Sequence, residues 1–145
     1  MSVYADTSFL VSLYVLDGNS EKAASDIQQA KLPFLLTTFG ELELTNAISL
    51  RLFRRELTPS KVKATQALVQ KDLTDGVLQI KPMTMNNFEK AMQMARRRTP
   101  QLGTRTLDIL HVASALELKA EMFYTFDRNQ ARLAKTEGLL VVPEI

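Results

Sequence analysis

Short apolar runs alternate along this chain with longer segments of helical periodicity. Residues 2–5 read as a strand, and Phe9, Leu10, Leu13 and Tyr14 then recur at the spacing of a helix over 8–16. Asp17-Gly18-Asn19 is a turn, and Ser20 is placed to cap a helix to 30. Past Pro33, residues 34–37 form an apolar run of strand type. Thr38-Phe39-Gly40-Glu41 has the spacing of a capping box and opens a helix to 55. Thr58 with Pro59 starts another, to 73, expected to lie beside its predecessor as a helical arm. A turn at Asp75-Gly76 leads to a strand over 77–80. Next come a helix over 86–98, a loop over 99–103, and a helix over 107–119 capped by Thr104 or Thr106. Residues 122–126 are a strand, Asp127 caps a helix to 137, Gly138 ends it, and 139–142 form a last strand before Pro143.

Strands that alternate with helices predict an α/β fold with a mainly parallel sheet covered on both faces. No linker, repeat or low-complexity tract interrupts residues 1–145, so one domain is expected. The 46% hydrophobic share is that of an ordinary globular chain, and no apolar run is long enough to cross a membrane. Without cysteine there is neither a disulfide framework nor a thiolate metal site, which fits a reducing, cytoplasmic setting. The net charge is only +2, so basic clusters matter more than the total. Arg51, Arg54 and Arg55 form one and Arg96, Arg97 and Arg98 another. Either can meet phosphates, or simply be a solvated helix end.

Four carboxylates fall at equivalent places. Asp6 ends the first strand, Glu43 lies early in the helix after the second, Asp108 opens the helix at 107, and Asp127 follows the strand at 122. In a parallel sheet, strand C-termini and the following helix N-termini share one edge, where ligands bind. Asp6 and Asp127 also read as plain helix caps, and Asp108 as an acid complementing a helix dipole. Glu41 has a structural task as the capping-box partner of Thr38, which leaves Glu43 for the site. Carboxylates gathered at one edge repel, by about 4 kcal/mol for two charges about 4 Å apart at an effective dielectric near 20. Their proton affinities rise, or a cation neutralises them, and an all-oxygen set suits Mg²⁺ or Mn²⁺. His111, the only histidine, lies one turn after Asp108 and reads first as a hydrogen-bonded core group, second as a base or ligand. Met83, Met85, Met92 and Met94 read as core filler.

These residues resemble the PIN-domain nucleases. Tyr4-Ala5-Asp6-Thr7-Ser8-Phe9-Leu10 resembles the first motif of that family, and Glu43-Leu44-Thr45-Asn46-Ala47 the second. Residues 106–115, around Asp108, resemble the third, and Thr125-Phe126-Asp127 the fourth. The length, and a start directly on the first motif, are similar to the VapC toxin type. The resemblance implies a three-layer α/β/α sandwich and metal-dependent cleavage of RNA by hydrolysis. It implies Asp6, Glu43 and Asp108 as principal acids, with Asp127 as the fourth, binding Mg²⁺ or Mn²⁺. Thr7 or Ser8 would support Asp6. It further implies a homodimer and a small antitoxin that covers the acidic pocket. Arg51, Arg54 and Arg55 are then candidates for RNA or partner contact. The competing expectation is a module of the same fold that holds RNA or protein without turnover.

Overall fold

The computed structural model describes residues 2–144. Five strands, β1 (Val3–Ala5), β2 (Phe34–Thr37), β3 (Leu78–Lys81), β4 (Met122–Tyr124) and β5 (Leu140–Val142), form one sheet in the order β3-β2-β1-β4-β5. Every pairing is parallel, with Tyr4 beside Leu35 on one side and Phe123 on the other. The helices are α1 (Thr7–Tyr14), α2 (Ser20–Gln29), α3 (Thr38–Phe53), α4 (Pro59–Thr74), α5 (Met85–Leu102), α6 (Thr106–Glu117) and α7 (Arg128–Thr136).

Alternation along the strands separates two cores. Val3, Ala5, Phe34, Leu36 and Tyr124 point to the face covered by α1 to α4. Tyr4, Leu35, Phe123 and Val141 point to the face covered by α5 to α7. This is the expected three-layer α/β/α sandwich. The chain leaves β1 toward β2 and β3 on one side, then returns to β4 and β5 on the other. The order therefore reverses between β1 and β4, and the segments after those strands part there to leave a crevice. Phe9 anchors this edge. It is fully buried against Phe34 (5.5 Å), Tyr124 (5.2 Å) and Phe126 (5.4 Å). Burial of that ring stabilises by about 1.5–3 kcal/mol and holds the start of α1 on the sheet.

Several local expectations are corrected. The cap of α3 is Thr37, the last residue of β2, whose hydroxyl accepts from Gly40 N–H (3.1 Å). Thr38 instead accepts from Met83 N–H, so there is no Thr38–Glu41 capping box. Glu41 is exposed and lines a hollow between α3 and α4, which keeps it out of the site for a different reason. Neither Thr104 nor Thr106 caps α6; Arg105 holds that position. The expected loop over 99–103 is mostly helix. α5 runs through Pro100 to Leu102, because proline near the end lacks only one helical N–H, and Gly103 at φ 62° closes the turn on Thr99 O. α1 is shorter than predicted, since Val15 is already extended and Asp17 gathers the next turn through Ser12, Asn19 and Ser20. Met94 is core filler, whereas Met85 and Met92 are exposed on α5.

Candidate active site

The crevice after β1 and β4 collects acids from three separate stretches. A cleft of 360 Å³ is lined by Thr7, Ser8, Glu43, Arg105, Asp108, Asp127 and Gln130, among others. Glu43 reaches it from the second turn of α3, Asp108 from the first turn of α6, and Asp127 from the cap of α7. Asp6 does not line the cleft. It is completely buried, one hydrogen bond behind Ser8. Among the described residues, no three carboxylate or histidine side chains stand close enough together to hold one cation.

Asp6 is the cap of α1, and its carboxylate is saturated with donors. One oxygen accepts from Ser8 Oγ (2.7 Å) and Phe9 N–H (3.0 Å), and the other from Thr125 Oγ1. Burial raises its proton affinity above the ordinary carboxyl value, and this outweighs the opposing effects of His111 and of those donors. Thr125 also accepts from Asp127 N–H (2.9 Å), and Ser8 Oγ from Phe126 N–H (3.0 Å). The segment after β4 is thus tied to the segment after β1 through two hydroxyls.

Glu43 is held from the opposite side. Thr7 Oγ1 donates to Oε1 (2.6 Å), and His111 Nε2 makes a very short hydrogen bond to the same oxygen. A carboxylate only accepts, so that ring nitrogen carries the proton. With a neutral ring, Nδ1 then accepts from the Tyr4 hydroxyl (2.8 Å). Burial pushes the Glu43 carboxyl up, but the hydrogen bond of His111 and the charge that ring has when protonated, together with Thr7, bring it below its ordinary value. The same burial keeps the Tyr4 phenol protonated far above its usual range. His111 is therefore a core group, as first expected, and also the link between the sheet and a site carboxylate.

Asp127 divides its oxygens. Oδ1 caps α7 through Asn129 N–H (2.8 Å) and Gln130 N–H (3.1 Å), and Oδ2 faces Arg105 Nη2 (3.4 Å). Arg105 Nε also reaches Asp108 Oδ2 (3.2 Å). Both functions foreseen for Asp127, cap and site acid, are compatible because they use different oxygens. Gln130 Oε1 is buried without a partner, an orphaned acceptor on the cleft wall.

Sequence reasoning passed over Arg105, Thr125 and Gln130 as site residues. Arg105 had one local signal. A cation at the start of a helix opposes the dipole, and an acid stands three residues on. Thr125 stands in the fourth motif without a task of its own, and nothing local marks Gln130 for the site. The other arginine groups have plainer tasks. Arg97 and Arg98 pair with Glu137, and Arg51 pairs with Glu56 at the end of α3.

A parallel α/β/α sandwich with carboxylates at its topological switch point is the architecture the four motifs implied. A family model for the PIN domain matches residues 3–136. The chain belongs to the PIN domain family. Solved structures share the fold. One is VapC20 of Mycobacterium tuberculosis, described as a sarcin-ricin-loop-cleaving toxin: 17% identity, TM-score 0.68, covering 90% of this chain and 94% of that one. A toxin–antitoxin complex from Klebsiella pneumoniae aligns over 99% and 100% of the two chains, at 13% identity and TM-score 0.70. FitAcB from Neisseria gonorrhoeae aligns over 96% and 95%, at 16% identity and TM-score 0.68. At such identities the likeness concerns the fold. No curated protein matches the sequence.

Proposed function

We propose that this protein is a Mg²⁺- or Mn²⁺-dependent endoribonuclease that hydrolyses RNA phosphodiester bonds, the cytoplasmic toxin of a type II toxin–antitoxin pair. The observation that carries this is the convergence of Glu43, Asp108 and Asp127 on one cleft at the switch point, with Asp6 directly behind it. The donor set fits a hard cation. It is all oxygen, it includes the orphaned Gln130 Oε1, and Arg105 already supplies positive charge to two of the acids. Glu43, Asp108 and Asp127 would hold the metal by closing on it, since in the folded chain as described no three acids share the reach of one cation. Asp6, buried with a raised proton affinity, is a fourth carboxylate that nearby positive charge would favour in its ionised form. A divalent ion so bound supplies an activated water and neutralises charge on the phosphate. The chain's own part is to orient Glu43 through Thr7 and His111, and to keep Asp6 in place through Ser8 and Thr125.

Substrate contacts lie beside the cleft. Arg128, Arg132 and Lys135 line a hollow on α7 that begins one residue after Asp127 and offers positive charge to RNA phosphates. Arg54, the C-terminal cap of α3, lies about 16 Å farther along the helix axis than Glu43, with Arg55 just past the helix end, and the two suit a partner or a distant stretch of RNA. Exposed Leu42 and Phe53 on α3 offer apolar contact to an antitoxin. Exposed Met85, Phe88 and Met92 on α5 offer it to a second copy of the chain. The separation of the carboxylates favours a second reading, a module that binds RNA without cutting it. Cleavage of structured and unstructured RNAs with Mn²⁺ decides between them. The nuclease reading predicts cutting that is lost in Asp6→Asn and Glu43→Gln, and equal activity in wild type and variants sinks it.

A further inference from the structure

Arg105 stands where helix electrostatics disfavour a cation, at the cap of α6, and makes no cap hydrogen bond there. Its guanidinium instead spans the cleft, with Nε on Asp108 Oδ2 (3.2 Å) and Nη2 on Asp127 Oδ2 (3.4 Å). The two acids belong to different elements, and the Asp108 side chain is almost enclosed, at 4% exposure. Arg105 itself is 66% exposed. A guanidinium that exposed is weakly held even by an enclosed carboxylate, because water screens its side of the pair, so it can leave. A planar fork that leaves two carboxylates while staying in the same cleft is matched to a phosphate, whose oxygens it can bind in pairs.

We propose that Arg105 is a phosphate-binding residue held on Asp108 and Asp127 until a divalent cation takes those carboxylates. It rests on the assignment of the cleft as a metal site. In the metal-free protein the arginine is the counter-ion of the acids and competes with the cation. With the cation bound, its charge is turned to the RNA backbone. One residue thus lowers affinity for the metal and raises affinity for the substrate.

That pairing of opposite effects is the test. Arg105→Gln is expected to tighten Mn²⁺ binding in isothermal titration by about 2- to 30-fold, the equivalent of two exposed ion pairs. At saturating Mn²⁺ the same variant is expected to raise KM for RNA by about ten-fold or more, the loss of a charge-assisted hydrogen bond. Arg105→Lys, which keeps the charge without the fork, should bind Mn²⁺ nearly as wild type does and still show a raised KM. Arg128→Gln removes a nearby charge that bridges neither acid. If it tightens Mn²⁺ binding as much as Arg105→Gln does, the proposal is overturned. It is also overturned if Arg105→Gln shifts only one of the two quantities, or both in the same direction. Unchanged Mn²⁺ affinity in Arg105→Gln, with loss in Asp108→Asn, removes the role of Arg105 and leaves the metal site standing. Mn²⁺ binding that ignores Asp108→Asn removes the metal site, and this proposal with it.

Discussion

Tyr4→Phe deletes one buried oxygen and isolates the link between the sheet and Glu43. The ring remains, stacked on Phe123 at 5.4 Å and 12°, so packing in the core is retained. His111 Nδ1 loses its 2.8 Å partner at a residue only 1% exposed. A buried polar atom left without a partner costs about 1–3 kcal/mol, a substantial part of a typical stability of about 5–15 kcal/mol. The ring of His111 is then freer to turn, and Glu43 loses orientation on its Nε2 side, with Thr7 remaining. Removal of such supporting partners typically lowers metal affinity or activity by about 10–100-fold. Urea unfolding and Mn²⁺ titration measure the two effects separately. In a Glu43→Gln background, Tyr4→Phe should still destabilise but should no longer change Mn²⁺ binding. A Tyr4→Phe protein with the wild-type urea midpoint and wild-type Mn²⁺ affinity would refute the chain from Tyr4 through His111 to Glu43.

Other outcomes follow from the same geometry. The Glu43 carboxyl is depressed in the folded state. Its stabilising contribution is therefore present above its ordinary value of 4.5 and is lost as pH falls through the lower folded value. Glu43→Gln should flatten that part of the stability–pH curve, and an unchanged acid limb would contradict the assignment. Gly103→Ala meets no neighbouring atom, so its cost is the backbone at φ 62° alone, about 1 kcal/mol in thermal or urea unfolding. Equal stability would show that the end of α5 readjusts freely. Arg128→Glu with Arg132→Glu should weaken RNA binding and reduce the log–log salt slope by about 1.4, for two single-strand phosphate contacts. An unchanged slope would move the RNA track elsewhere, and the Arg54→Glu with Arg55→Glu pair would then be measured the same way.

Much of this protein was determined by sequence alone. Apolar periodicity, with cap and turn residues, located the five strands and seven helices of the described residues, because burying a face and capping a helix are local patterns. Parallel pairing followed from alternation of strand and helix, and the four acids could be named because each follows a strand end or lies in the first two turns of a helix. Boundaries were less secure where two local solutions compete. Thr37 and Thr38 are both able to cap α3, and only the direction of the chain leaving β2 selects Thr37. Residues 99–103 read as a loop, yet α5 continues through Pro100 and Gly103 just beyond it lets the last turn close. The relations across the crevice belong to tertiary structure. Tyr4 and His111 are 107 residues apart, as partners of one hydrogen bond, and Asp6 and Thr125 are 119 apart. No periodicity encodes such pairs, because they exist only once β1 lies between β2 and β4. Sequence placed four acids at one edge of a sheet. The folded chain decided that three line a cleft, that one lies buried behind it, and that Arg105 holds two of them.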